Sequence, residues 1–210
     1  LNTQFKAAAD EPLTITYADF NQDGIIDPIL SYYNGGKSYP YFTRDEILRE
    51  LPGLQKKFSR YADYADARLP DLFSAEQLAD SKSVEIKTTK SIYLRNNGNR
   101  SFTQSDLPDY AQMSVINGMI GKDVDGDGHK DIILAGNFYP FRVQQGPLDA
   151  GIGLVLKGDG KGGFTPLTYA QTGLCLTGDV RNIMDIKTGN DYLIIVAKSN
   201  GSIQVVKPGH

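Results

Sequence analysis

Short apolar runs separated by clusters of Gly, Asn and Asp recur along most of the chain, for example Ile132 to Ala135, Gly153 to Leu156 and Tyr192 to Ala197. Runs this short, bounded by turn formers, are the mark of β-strands joined by tight turns. The pattern changes between about Tyr39 and Ser83, where YFTRDEILRELPGLQKKFSRYADYADARLPDLFSAEQLAD reads as helical. Thr43 and Glu46 have the spacing of a capping box, Ile47, Leu48 and Leu51 form an apolar stripe, and Ser74 with Gln77 offers a second cap before Leu78. Two or three short helices are predicted there, with Phe58, Tyr61, Tyr64 and Phe73 packing the insertion onto its host.

The β-rich part repeats itself. SIYLRNNGNRSFTQ and GLVLKGDGKGGFTP are each a strand, a Gly/Asn turn and a second strand opening on Phe; Phe102 to Phe164 and Gly98 to Gly160 are both offsets of 62 residues. A second element is an acidic loop followed by an apolar run, in DFNQDGIIDPILSYYN from Asp19 and DVDGDGHKDIILAGN from Asp123, with an eroded copy, DIKTGNDYLIIVAKSN, from Asp185. Asp123 to Asp185 is again 62 residues, whereas Asp19 to Asp123 is 104; the excess, 104 − 62 = 42, matches the helical stretch and predicts one insertion at 39–83. A unit of acidic loop, strand pair and Phe-led strand fits a four-stranded propeller blade, so the expected fold is all-β: about three β-propeller blades over residues 1–210 with a small α-helical insertion. Three blades do not close a propeller. The chain therefore reads as part of a longer propeller, with Leu1 to Ala9 as the trailing strand or linker of a preceding blade.

Composition narrows the chemistry. A net charge of −3 with scattered Lys and Arg offers no basic surface for nucleic acid, and no apolar run is long enough to cross a bilayer. The single Cys175, between Leu174 and Leu176, excludes an internal disulfide or a cysteine zinc cluster and is expected to be buried; with two histidines, His129 and His210, His-based catalysis has almost no raw material.

The acidic loops carry the chemistry. Asp19, Asn21, Asp23 and Asp27 stand at loop positions 1, 3, 5 and 9 with Gly24 at position 6, and Asp123, Asp125, Asp127 and Asp131 repeat the spacing around Gly128. Alternate side chains of a tightly curled loop converge on one centre, and the backbone carbonyls at position 7, Ile25 and His129, complete an all-oxygen set suited to Ca2+. The formal charges, −3 and −4, would repel strongly without a cation. An EF-hand requires a Glu at position 12, where this chain has Leu30 and Leu134. The eroded copy, with Lys187 and Gly189 at positions 3 and 5, is not expected to bind metal.

The D-x-[DN]-x-D-G-x-x-D loop followed by an apolar strand, together with L-x-N-x-G-x-x-x-F, resembles the FG-GAP or VCBS repeats of calcium-binding β-propellers, including those of integrin α subunits. The insertion, TRDEILRELPGLQKKF, is similar to a helical insert of Bacteroidetes-type secreted propeller proteins. The resemblance implies two structural calcium ions, held by Asp19, Asn21, Asp23, the Ile25 carbonyl and Asp27, and by Asp123, Asp125, Asp127, the His129 carbonyl and Asp131. It also implies a secreted, periplasmic or cell-surface protein. Cytosolic calcium would leave such loops empty.

The expected function is thus a calcium-stabilised extracytoplasmic binding or adhesion module, not an enzyme. Its partner would be a glycan or protein met by the aromatic loops of Tyr32, Tyr33, Tyr39, Tyr41, Phe138 and Tyr139. A calcium-dependent propeller lyase or glycosidase is the rival, but Asp45, Glu46 and Glu50 read as one solvated helix face and the loop aspartates are committed to metal. A purely structural repeat segment is the third alternative.

Overall fold

The computed structural model describes residues 5–141, 146–189 and 191–207. His210 and the first four residues lie outside these, and residues 5–9 form no strand. The described chain is mostly β-structure in four antiparallel sheets with a few short helices, and it divides into two compact units, residues 5–89 and 90–207. No sheet among the described residues closes on itself, and no helix is long and apolar enough to cross a membrane.

In the first unit β1 (Leu13–Ala18), β2 (Asp27–Asn34), β3 (Lys37–Pro40) and β4 (Lys82–Ile86) form a sheet in the order β3-β2-β1-β4. The β2–β3 hairpin turns through Gly35 and Gly36, at φ 59° and 74°, a pair of left-handed conformations that glycine adopts without strain. Between β3 and β4 lie α1 (Arg44–Glu50), α2 (Tyr61–Tyr64), α3 (Leu69–Leu72) and α4 (Ala75–Asp80), with a 3-10 turn at Pro52–Leu54. Four helices replace the expected two or three because Pro52 and Gly53 end the first and Pro70 starts a separate single turn. Both capping boxes form: the Thr43 and Ser74 hydroxyls accept from the amides of Glu46 and Gln77, whose side chains accept in return.

The insertion shares one core with its host sheet, which contributes Ile29 of β2. Ile47, Leu51, Phe58, Leu72 and Phe73 are buried around Phe20 of the first acidic loop, whose ring stacks on Phe73 with centroids 3.7 Å apart. Phe58 and Tyr64 meet edge to face and the Tyr64 hydroxyl donates to the Phe42 carbonyl at 2.8 Å, while Tyr61 stays exposed. Each buried Phe contributes about 2–3 kcal/mol of apolar burial.

In the second unit β5 (Ile92–Gly98) and β6 (Ser101–Asp106) form a hairpin of their own; β7 (Gly118–Lys122), β8 (Asp131–Ala135), β9 (Leu154–Gly158) and β10 (Phe164–Leu167) form a sheet in the order β10-β9-β8-β7; and β11 (Val180–Thr188), β12 (Asp191–Lys198) and β13 (Gln204–Val206) form a third. The repeats share their registers. Ala18 pairs with Asp27 across the first acidic loop as Lys122 pairs with Asp131 across the second, and Phe102 faces Asn96 as Phe164 faces Gly158. One copy departs: β9–β10 extends the sheet of its acidic loop, whereas the edge of β2 is taken by β3 and β5–β6 forms a two-stranded sheet of its own.

Ile120, Ile133, Val155, Val180, Ile183, Ile194 and Val196 pack the second sheet against the third. The approach is closest at Gly118, where a Cβ would lie 2.6 Å from the Ile183 nitrogen. Asn137, buried beside this core, uses its whole hydrogen-bonding capacity: its amide donates to Gly151 and Gly178, and its Oδ1 accepts from Ser114 and Gly151. The third sheet is apolar on both sides. Ile183, Ile194 and Val196 face the core, while Met184, Ile186 and Val205 are about half exposed on the other face. Cys175 is exposed, contrary to expectation, because the flanking Leu174 and Leu176 of an extended segment are the residues that turn inward.

Candidate metal centre

Both acidic loops link the first two strands of a sheet and are organised by the same hydrogen bonds. At position 1, the Asp19 and Asp123 carboxylates accept from the amides of Gly24 and Gly128 at 2.8 and 2.9 Å. At position 5, Asp23 and Asp127 accept from Ile25 and His129, both at 2.8 Å. At position 9, Asp27 and Asp131 accept from Phe20 and Val124 at 3.0 and 2.8 Å. Gly24 and Gly128 hold φ values of 87° and 85°, so the chain bends where a side chain would be strained. These bonds curl each loop upon its own carboxylates.

In the second loop the curl brings three acids together. Oxygens of Asp123, Asp125 and Asp131 all lie within 4.8 Å of one another, the one such group of acidic side chains among the described residues. Oxygens this close together could share one metal ion. Asp131 is 2% exposed, and its other role is structural, since its second oxygen accepts from the Gly158 amide on β9 at 2.9 Å. Asp127 stands outside the group. One of its oxygens is held by the His129 amide and the other lies 3.1 Å from the Lys157 ammonium. The His129 ring rests over Gly160, where a Cβ would come within 2.4 Å of Nδ1.

The first loop is braced from the insertion. Phe20 is buried in the insertion core, the Gln77 amide donates to the Phe20 carbonyl at 3.0 Å, and the Asn21 amide donates to the Glu50 carbonyl at 3.3 Å and to Asp23 at 2.9 Å. Burial raises the Asp27 carboxyl above its ordinary range; the Asp23 and Asp19 charges push the same way, and the Phe20 amide opposes them. Ile25 of the same loop is 67% exposed.

Lys157 was not foreseen. Its ammonium contacts Asp125 and Asp127, and those two carboxylates hold it well above the ordinary lysine range. On Asp127 the His129 amide, followed by Lys157, keeps the carboxyl low. Lys157 follows Asp125 by 32 residues and reaches it only because β9 pairs with β8, so no local spacing signals it. Among the expected aromatics, Tyr32 and Tyr41 pack edge to face with each other and with Phe5, and Arg181 lies over Phe138. Tyr139 is exposed. A cleft of about 260 Å³, also unforeseen, opens at the far end of β8 from the second loop, lined by Tyr110, Met113, Val115, Leu134 and Ile152.

Compared with models of protein families, with curated proteins and with solved structures, the chain matches none.

Proposed function

We propose that this chain is a calcium-stabilised extracytoplasmic binding module of the FG-GAP or VCBS type, whose sheets are blades of a β-propeller and whose ions stiffen the strand junctions. The observation that carries the reading is the convergence of Asp123, Asp125 and Asp131, whose oxygens lie close enough together to share one metal ion. Three further features agree with it. The first loop repeats the second in hydrogen bonding and strand register. The β7–β10 sheet is a four-stranded meander, as a blade is, and packs face to face on the next sheet. The third sheet is apolar on its outer side, as a blade between two others would be.

Asp19, Asn21, Asp23 and Asp27, with the Ile25 carbonyl, would hold one ion; Asp123, Asp125, Asp127 and Asp131, with the His129 carbonyl, would hold the other. A bound ion would neutralise carboxylates that otherwise repel. At about a millimolar calcium and a dissociation constant near 10⁻⁴ M, each ion adds about 1.4 kcal/mol to stability. The module's partner is a glycan or a protein, met by exposed aromatic and apolar side chains such as Tyr139 and the Tyr110 cleft.

The test is thermal unfolding of chelator-stripped protein given calcium or, separately, magnesium. A calcium-selective rise in Tm that Asp23→Ala and Asp127→Ala each reduce supports the reading. No shift at several millimolar calcium removes it.

A further inference from the structure

We propose that Lys157 is the second loop's own counter-ion, an intramolecular cation that calcium must displace, so that the second loop binds calcium less tightly than its oxygen ligands alone would allow. This rests on the reading of both loops as calcium sites. The Lys157 ammonium contacts the Oδ2 atoms of Asp125 and Asp127, loop positions 3 and 5. It offsets one of the loop's four carboxylate charges. Its side chain is 41% exposed, so the ammonium can swing into solvent without disturbing β9.

The remaining ligands do not depend on it. Asp123 is held by the Gly126 and Gly128 amides and Asp131 by those of Val124 and Gly158. The second loop therefore has two carboxylates positioned by backbone and two occupied by a tethered cation. A dication sharing oxygens with Asp125 would repel the ammonium on that same carboxylate, and one of the two must leave.

The first loop has no such competitor. Among the described residues no Lys or Arg is ion-paired with Asp19, Asp23 or Asp27, and the free oxygen of Asp23 meets only the Asn21 amide. Calcium entering there displaces only a hydrogen bond from the uncharged Asn21 amide. Two exposed ion pairs of ordinary strength correspond together to about a tenfold change in a binding constant.

Isothermal titration with calcium chloride decides the matter in the full chain. Asp23→Ala leaves the second loop intact, and Asp127→Ala leaves the first. Adding Lys157→Gln to Asp23→Ala is expected to tighten calcium binding about tenfold, adding Lys157→Arg to leave it within twofold, and adding Lys157→Gln to Asp127→Ala to change nothing. Measurable binding that Lys157→Gln leaves unchanged or weakens overturns the counter-ion role while sparing the calcium reading. Absence of binding in both single-loop proteins overturns the calcium reading, and the counter-ion role with it.

Discussion

Asp131 is placed to separate what a carboxylate does for the chain from what it would do for a bound ion. It is 2% exposed, and its two oxygens accept from Val124 at 2.8 Å and from Gly158 at 2.9 Å, tying the start of the loop to β9. Asp131→Ala leaves both amides without a partner. An unsatisfied buried donor costs about 1–3 kcal/mol, so the loss in chelator is expected at about 3 kcal/mol, before any metal is considered. Asp125 is an exposed partner of Lys157 and of one amide at 3.2 Å, and Asp125→Ala is expected to cost less than about 1 kcal/mol in chelator. Both variants should forfeit the calcium increment of about 1.4 kcal/mol at the second loop. Urea unfolding followed by circular dichroism, with and without calcium, gives the four free energies, and hydrogen exchange at the Val124 and Gly158 amides reports the junction directly. If Asp131→Ala in chelator lies within about 0.5 kcal/mol of the parent, the account of Asp131 as a buried tie is wrong.

Further outcomes follow from other parts of the structure. Gly118→Ala puts a methyl 2.6 Å from the Ile183 nitrogen and should destabilise by about 2–3 kcal/mol, while Gly121→Ala, on the same strand with nothing near its Cβ, should change stability by less than about 0.5 kcal/mol; equal effects in a denaturation series would contradict the close approach of β7 and β11. In the insertion, the Tyr61 hydroxyl holds the Asp45 carboxyl below its usual range and Arg60 does the same for Asp63. Because the folded values are depressed, their contribution is present above the unfolded value of about 3.9 and is lost as pH falls through the folded ones. Helix content measured between neutral pH and pH 2 should fall less in Asp45→Asn/Asp63→Asn than in the parent, and parallel curves would rule this out. On the outer face of the third sheet, Met184→Lys with Val205→Lys should abolish a concentration-dependent self-association visible in sedimentation. A parent that stays monomeric at every concentration speaks against that face being built for cover.

What could be read from the sequence was local. Thr43 with Glu46 and Ser74 with Gln77 cap helices through contacts within one turn, and the two hairpins 62 residues apart share a register because turn length fixes it. The loop aspartates were legible for the same reason, since their amide partners all lie within seven residues except Gly158. What escaped was set by pairing at a distance. Nothing near Lys157 announces Asp125, the sequence of β5–β6 does not say that β3 will take the edge of β2, and Cys175 faces outward because its neighbours claim the core.

The eroded third copy has a consequence of its own. Where the second sheet needs Asp123 to Asp131 to pass from β7 to β8, the third carries its ladder on through Asp185↔Ile194, Ile186↔Leu193 and Lys187↔Tyr192 to Thr188↔Asp191. The same chain thus holds two ways of making one joint. If the acidic loops bind calcium as proposed, a joint like the first would borrow its rigidity from the medium and return it when the medium changes, whereas a joint like the third is made by backbone pairing alone. On the reading proposed above, a protein with both would be graded, its last junction independent of calcium and its first two responsive to it, so that the calcium content of its surroundings would set how much of it is stiff.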